Sequence, residues 1–309
     1  MQEGKAPKPA RAWRRSAFRA GAVVLLLALG AAMAKLLGGV AGLFRYEATI
    51  DIAYADGGRH KLDVYEPRGA AAAPVIVFFY GGSWQTGDKA TYRFLAATLA
   101  GRGYVVVVPD YRLYPEVKFP DFIADGAAAL RWTHDNIAAF HGDASRLFVM
   151  GHSAGAYIAA MLALDGEWLR GVGLDPSDIA GLIGVSGPYD FLPLRDPILT
   201  IIFGGNNRPV TQPISYAEGR KPPALLLTGD ADETVKPGNS TRLAAKLRLG
   251  GNDATDRIYP HLGHLTIMAA FVPILGSFLS PLADLDAFAR RIRPDARGSA
   301  SVAAEVPAP

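Results

Sequence analysis

The chain has 309 residues, half of them apolar and a fifth charged, which is enough to bury a large core and too apolar for a disordered chain. It contains no cysteine, which excludes disulfides, thiolate metal sites, a catalytic thiol and thiol lipidation. The formal net charge of +3 is local: Lys5, Lys8, Arg11, Arg14, Arg15 and Arg19 against Glu3 give +5 in the first 19 residues, leaving −2 for the rest. A slightly acidic remainder offers no electrostatic footprint for nucleic acid as a partner.

The basic stretch precedes Ala20 to Ala34, 15 residues without a charge. With small residues at Ala32 and Ala34, this reads as a secretory signal. Counted on through Lys35 to Phe44, it is also long enough to be a retained membrane anchor. Both readings leave the arginines on the cytoplasmic side and put the rest of the chain outside it, in a periplasmic or extracellular setting. A buried core helix is the plain alternative, and the basic flank argues against it. The expected organisation is a leader over 1–44, a folded domain over 45–293 and a small, polar, Pro-containing disordered tail over 294–309.

After the leader, ATIDIAYA (48–55) and KLDVYEP (61–67) alternate apolar and polar around Asp56-Gly57-Gly58, which predicts a hairpin. Six short apolar runs follow at 74–80, 104–110, 147–151, 181–187, 224–230 and 256–260. Continuous apolar strands predict a parallel sheet covered on both faces. Helical patterns fall near 91–101, 121–140, 154–164, 239–249 and 281–292. The expectation is one α/β domain with a doubly wound, mostly parallel sheet of about eight strands. The Pro- and Gly-rich segment 187–223 shows little periodicity and has the length of a cap or lid.

In an open α/β sheet, ligands bind beyond the carboxyl ends of the strands. Gly151-His152-Ser153-Ala154-Gly155 follows one predicted strand and opens a helix, as a G-x-S-x-G nucleophile elbow must. The plain reading of Ser153 is a helix N-cap. As a nucleophile it needs a base and an orienting acid. His60 and His134 read as surface residues, His141 as a loop residue, and His152 sits inside the elbow and points elsewhere. That leaves His264, favoured by the Gly263 before it, and His261. For the acid, Asp232 lies further out on its loop than Asp230, which could cap a turn; Asp190 is a third candidate. An oxyanion needs backbone N–H donors, which Ala154 and the Gly81-Gly82-Ser83 loop can supply.

Six motifs together resemble the α/β-hydrolases of the carboxylesterase and hormone-sensitive-lipase-like group, related to kynurenine-formamidase-like hydrolases. They are YGGSW (80–84), PDYRLYPE (109–116), FPDFIADGAAALRW (119–132), GHSAGAYIAA (151–160), GDADETV (229–235) and GH (263–264), and the resemblance runs from Ile50 to Phe288. It implies Ser153 as nucleophile, Asp232 as acid and His264 as base. It implies Gly82, Ser83 and Ala154 as the oxyanion hole, with Gly81 shaping the loop. Tyr80 stands where the group carries histidine, a departure that bears on loop rigidity; a bond from its hydroxyl to the Asp110-Tyr111-Arg112 segment is one way to restore it. Trp84 is expected either near the pocket mouth or in the core, and Phe191, Leu192, Ile201, Ile202 and Phe203 either in an apolar substrate pocket or in ordinary cap packing.

The resulting expectation is a serine hydrolase of carboxylic esters that uses no metal or organic cofactor. An arylformamide, or the methyl ester of a lipidated peptide, is the alternative substrate. A non-catalytic binding module on the same fold is the distant one.

Overall fold

Eight strands form one sheet in the order β1-β2-β4-β3-β5-β6-β7-β8. In this computed structural model, which describes residues 46–272 and 279–292, they are β1 (Tyr46–Ala53), β2 (Lys61–Pro67), β3 (Ala73–Phe79), β4 (Val105–Pro109), β5 (Gly142–His152), β6 (Gly181–Val185), β7 (Ala224–Gly229) and β8 (Ala254–Tyr259). The expected leader, its hydrophobic helix and the tail lie outside the described residues. All described residues belong to one compact unit, Arg45–Pro309. Among them, no helix is long and apolar enough to cross a membrane.

β1 pairs antiparallel with β2, and β2 antiparallel with β4; every other pairing is parallel. The hairpin and the parallel sheet are therefore both as expected from the sequence. β4 and β6 are buried at every residue, which is why they read as unbroken apolar runs. The exception is β5. It begins at Gly142, five residues before the predicted start, because Gly142 and Asp143 pair with Ala73 and Pro74 across a register shift. The polar stretch GDASR hides that extension from any hydrophobicity argument.

Helices cover both faces of the sheet. On one lie Arg93–Ala100 and Ser280–Arg291; Asp286 of the latter binds Arg102 and accepts from the Tyr104 hydroxyl at 3.0 Å, both in the segment that follows the former. On the other, Asp121–Asn136 packs on Ala154–Leu164. The latter helix is buried along its whole length, which accounts for its run of alanines and glycine.

Two of the recognised motifs clamp each other. Arg112 forks onto the buried Asp125 carboxylate, with Nη2 to Oδ1 at 2.6 Å and Nε to Oδ2 at 3.0 Å. His60 joins them, with Nε2 3.1 Å from Asp125 Oδ1. His60 is therefore not the surface residue its hairpin position suggests: its ring lies against Tyr54 and close to a carboxylate from a distant helix.

The 187–223 segment, expected as a cap or lid, is pinned to the core. It holds a short helix, Pro197–Ile202, and two 3-10 turns at Pro209–Thr211 and Pro213–Tyr216. Asn239 Oδ1 accepts from the backbone of Tyr189 and Asp190, each at 2.9 Å, and buried Gln212 accepts from Phe191 N at 2.8 Å. Ile202 and Phe203 are core residues, whereas Ile201 is 46% exposed.

Candidate active site

The strand-to-helix turn after β5 forces Ser153 to φ 54°, ψ −122°, a left-handed backbone conformation that side chains avoid. The turn closes only because both flanking glycines lack side chains. A Cβ on Gly155 would overlap the Phe79 and Tyr80 carbonyls, and one on Gly151 would overlap the Gly155 backbone. Ser153 precedes the helix N-terminus without capping it, so its Oγ is free for other partners.

Those partners arrive from two later loops. His264 Nε2 lies 2.8 Å from Ser153 Oγ, and His264 Nδ1 lies 2.9 Å from Asp232 Oδ2. A carboxylate only accepts, so Nδ1 carries the proton and Nε2 is left to accept from the serine hydroxyl. Asp232 is 1% exposed and its Oδ1 accepts from Thr234 N at 3.0 Å and Val235 N at 2.9 Å. Burial pushes its carboxyl up, but the His264 bond and charge and the Val235 N–H outweigh this and hold it below the usual carboxylate range.

The structure separates the alternatives left by the sequence. Asp230 accepts from His261 N at 2.7 Å and so caps a turn. His261 itself occupies a left-handed turn position, and Asp190 is bound to Arg242. His152 points away from the Ser153 hydroxyl, as expected, and does more than that. Its Nε2 donates to the His264 carbonyl at 3.0 Å, tying the elbow to the loop that carries His264. Burial, followed by the neighbouring His264, pushes its pKa from 6.5 down to about 3, so the ring is neutral.

The Gly81-Gly82-Ser83 loop lies against the elbow. A Cβ on Gly81 would stand 3.0 Å from Ser153 Cβ. Gly82 has φ 132°, and a side chain there would run into the Thr86 carbonyl, so the turn demands glycine. Ser83 and Trp84 continue with φ 54° and 59°. Among the described residues, the amides of Gly82, Ser83 and Ala154 have no protein acceptor. Trp84 takes the core alternative rather than the pocket mouth: it is 3% exposed and packs edge-on to Tyr157 and Phe203, with half-buried Phe191 stacked alongside at 6.3 Å.

Tyr80 donates to Asp110 Oδ1 at 2.8 Å, the bond anticipated as a substitute for the usual histidine. A further partner of this loop is Arg59, in the β1–β2 turn. It donates to the Tyr80 hydroxyl at 2.6 Å, the Gly87 carbonyl at 2.8 Å and the Tyr111 carbonyl at 2.8 Å. No local signal marks an arginine in a polar turn as the partner of residues 21 to 52 positions away. Among the described residues, no cluster of three or more His, Asp or Glu side chains is arranged to hold a metal ion.

A family profile described as BD-FAE matches residues 62–247, a span that contains the elbow, the glycine loop and Asp232. The chain belongs to the BD-FAE family. It is 30% identical over 244 residues to the isoprenylcysteine alpha-carbonyl methylesterase ICME of Arabidopsis thaliana, covering 72% of this chain and 57% of that protein. It is 30% identical over 230 residues to the esterase LipQ of Mycobacterium tuberculosis, covering 67% and 54%. The chain thus spans little more than half the length of these curated relatives. Among solved structures, a thermophilic esterase of Thermogutta terrifontis with butyrate bound superposes with TM-score 0.66 at 25% identity, covering 81% of this chain and 95% of that one. The α/β-hydrolase fold is the one these structural neighbours share.

Proposed function

We propose that the protein is a serine esterase that hydrolyses carboxylic esters through an acyl-enzyme. The observation that carries this is the unbroken chain Ser153 Oγ–His264 Nε2 at 2.8 Å and His264 Nδ1–Asp232 Oδ2 at 2.9 Å. The names of the family relatives support the reaction class.

Ser153 Oγ attacks the ester carbonyl while His264 Nε2 takes the hydroxyl proton. Negative charge moves to the carbonyl oxygen, where the amides of Gly82, Ser83 and Ala154 donate to it. The bond to the alkoxy oxygen breaks, and His264 returns its proton so that the alcohol leaves neutral. Water then repeats the sequence on the acyl-serine and releases the acid. Asp232 keeps the proton on Nδ1 throughout and stabilises the imidazolium. Gly81, which lies against Ser153, and half-buried Phe191 are assigned to shaping the substrate pocket, while Trp84, a core residue, backs Phe191 without facing substrate. The chemistry as written needs no cofactor.

The test is treatment with a fluorophosphonate, intact mass and peptide mapping, then turnover of a panel of p-nitrophenyl esters. A single adduct on Ser153 and ester turnover are expected; well-folded protein without an adduct overturns the assignment and favours a binding module. Methyl esters join the panel because a methylesterase is among the relatives, and an arylformamide joins it as the competing substrate. The basic, apolar leader supports export or membrane anchoring; recovery of the protein solely in the cytosolic fraction of the expressing cell would exclude both.

A further inference from the structure

We propose that Arg59 is a positioning residue that fixes the Gly81-Gly82-Ser83 loop for stabilisation of the oxyanion; this rests on the esterase reading above. Three observations carry it. First, one guanidinium holds both ends of the loop. Nη2 donates to the Tyr80 hydroxyl, immediately before Gly81, and to the Gly87 carbonyl, where the loop closes. Nε reaches the Tyr111 carbonyl beyond β4, so the two loop ends are tied to the sheet as well as to each other.

Second, the loop needs holding. Gly82, Ser83 and Trp84 are three consecutive residues at positive φ, a conformation their local sequence does not favour. The loop also folds tightly on itself: a Cβ on Gly87 would stand 2.8 Å from the Gly81 carbonyl and from the Tyr80 ring.

Third, tyrosine at position 80 creates a hydrogen-bonding requirement that Arg59 meets. The Tyr80 hydroxyl gives its proton to Asp110 Oδ1, which also accepts from Lys89 N at 2.9 Å. Its oxygen lone pair then faces Arg59. The Tyr80 ring is stacked on Tyr111 at 4.7 Å, and the Tyr111 hydroxyl donates to the Tyr80 carbonyl at 2.7 Å. Tyr80 is thus held by ring and backbone, and by Arg59 and Asp110 at its hydroxyl. The planar fork of arginine serves these acceptors at once, which a lysine ammonium cannot do.

The experiment compares full-length wild type, Arg59→Met and Arg59→Lys on one p-nitrophenyl ester, with kcat expressed per site titrated by fluorophosphonate. A loosened loop misplaces the donors for the transition state while leaving ground-state binding largely intact. Both variants are expected to lose about 10- to 100-fold in kcat per titrated site, with KM within about twofold. Methylguanidine is expected to restore part of the Arg59→Met loss, whereas methylammonium at the same ionic strength restores none. A merely structural arginine would instead reduce the number of titrated sites and leave kcat per site unchanged; that result overturns the proposal. Should Arg59→Met fail to fold, Arg59→Lys keeps the charge and the aliphatic stem and decides alone. A wild type with neither Ser153 adduct nor turnover removes the esterase reading and this proposal with it, whereas an active wild type with unaffected variants removes this proposal only.

Discussion

The Phe79 carbonyl occupies the space that a side chain on Gly155 would need. The last residue of β3 thereby fixes how closely the helix after Ser153 can approach the sheet, and so where the serine stands. Gly155→Ala forces the helix to move off the strand. Loss of about 1–3 kcal/mol in stability is expected from the overlap. A loss of about 100-fold in ester turnover is expected from the displaced serine. Urea unfolding and kcat measured on one preparation check both; an active variant of normal stability would mean that the elbow tolerates a wider turn.

Ser153 itself is held against its backbone preference. Ser153→Gly removes the steric conflict at φ 54°, and after the entropy cost of glycine the variant should gain about 1 kcal/mol in stability while losing hydrolysis. Denaturant midpoints of wild type, Ser153→Ala and Ser153→Gly separate the two effects, since alanine removes the hydroxyl and keeps the conflict. Glycine less stable than alanine would show that the turn is unstrained.

Much of this was legible in advance, for identifiable reasons. Strands buried on both faces advertise themselves as apolar runs, and the elbow is a local pattern whose spacing encodes its own sterics. Loop position at the strand ends favours His264 over His261 and Asp232 over Asp230, and the structure brings His264 into hydrogen-bond reach of both Ser153 and Asp232. The failures share one cause, a partner far away in sequence. His60 has the local pattern of a surface residue because Asp125, 65 positions later, is invisible from the hairpin. The first five residues of β5 looked like loop because their pairing to Ala73 and Pro74 is irregular and polar. Arg59 had no local signature at all.

Asp232→Asn should lower kcat by about 10⁴-fold with the fold retained. The amide can present its NH2 to the imidazole, which moves the ring proton to Nε2 and removes the acceptor for the serine proton. Steady-state kinetics beside a thermal unfolding scan test this. A loss below about tenfold would assign the orienting role to another carboxylate.

His152 gives the protein a defined acid sensitivity. Its folded pKa of about 3 lies below the ordinary 6.5, so below pH 6.5 the unfolded chain binds a proton that the native state refuses. The stability due to its neutral burial is therefore complete above about pH 6.5 and falls away between pH 6.5 and 3. Between pH 7.5 and 5, wild type should lose about 2 kcal/mol more than His152→Gln, which keeps a donor for the His264 carbonyl and cannot titrate. Urea unfolding at the two pH values gives the comparison, and equal losses in the two proteins would mean that His152 protonates in place.

The three side chains of the hydrogen-bonded chain come from positions 153, 232 and 264, after β5, β7 and β8, and β8 is the outermost strand of the parallel run. A chain that has emerged or folded only as far as β7 owns the serine and the carboxylate but lacks the ring that bonds to both. On the proposed mechanism, reactivity therefore waits for β8 and the loop after it, which deliver His264. The appearance of probe-reactive Ser153 during refolding accordingly reports the arrival of His264 beside the serine, not collapse of the core.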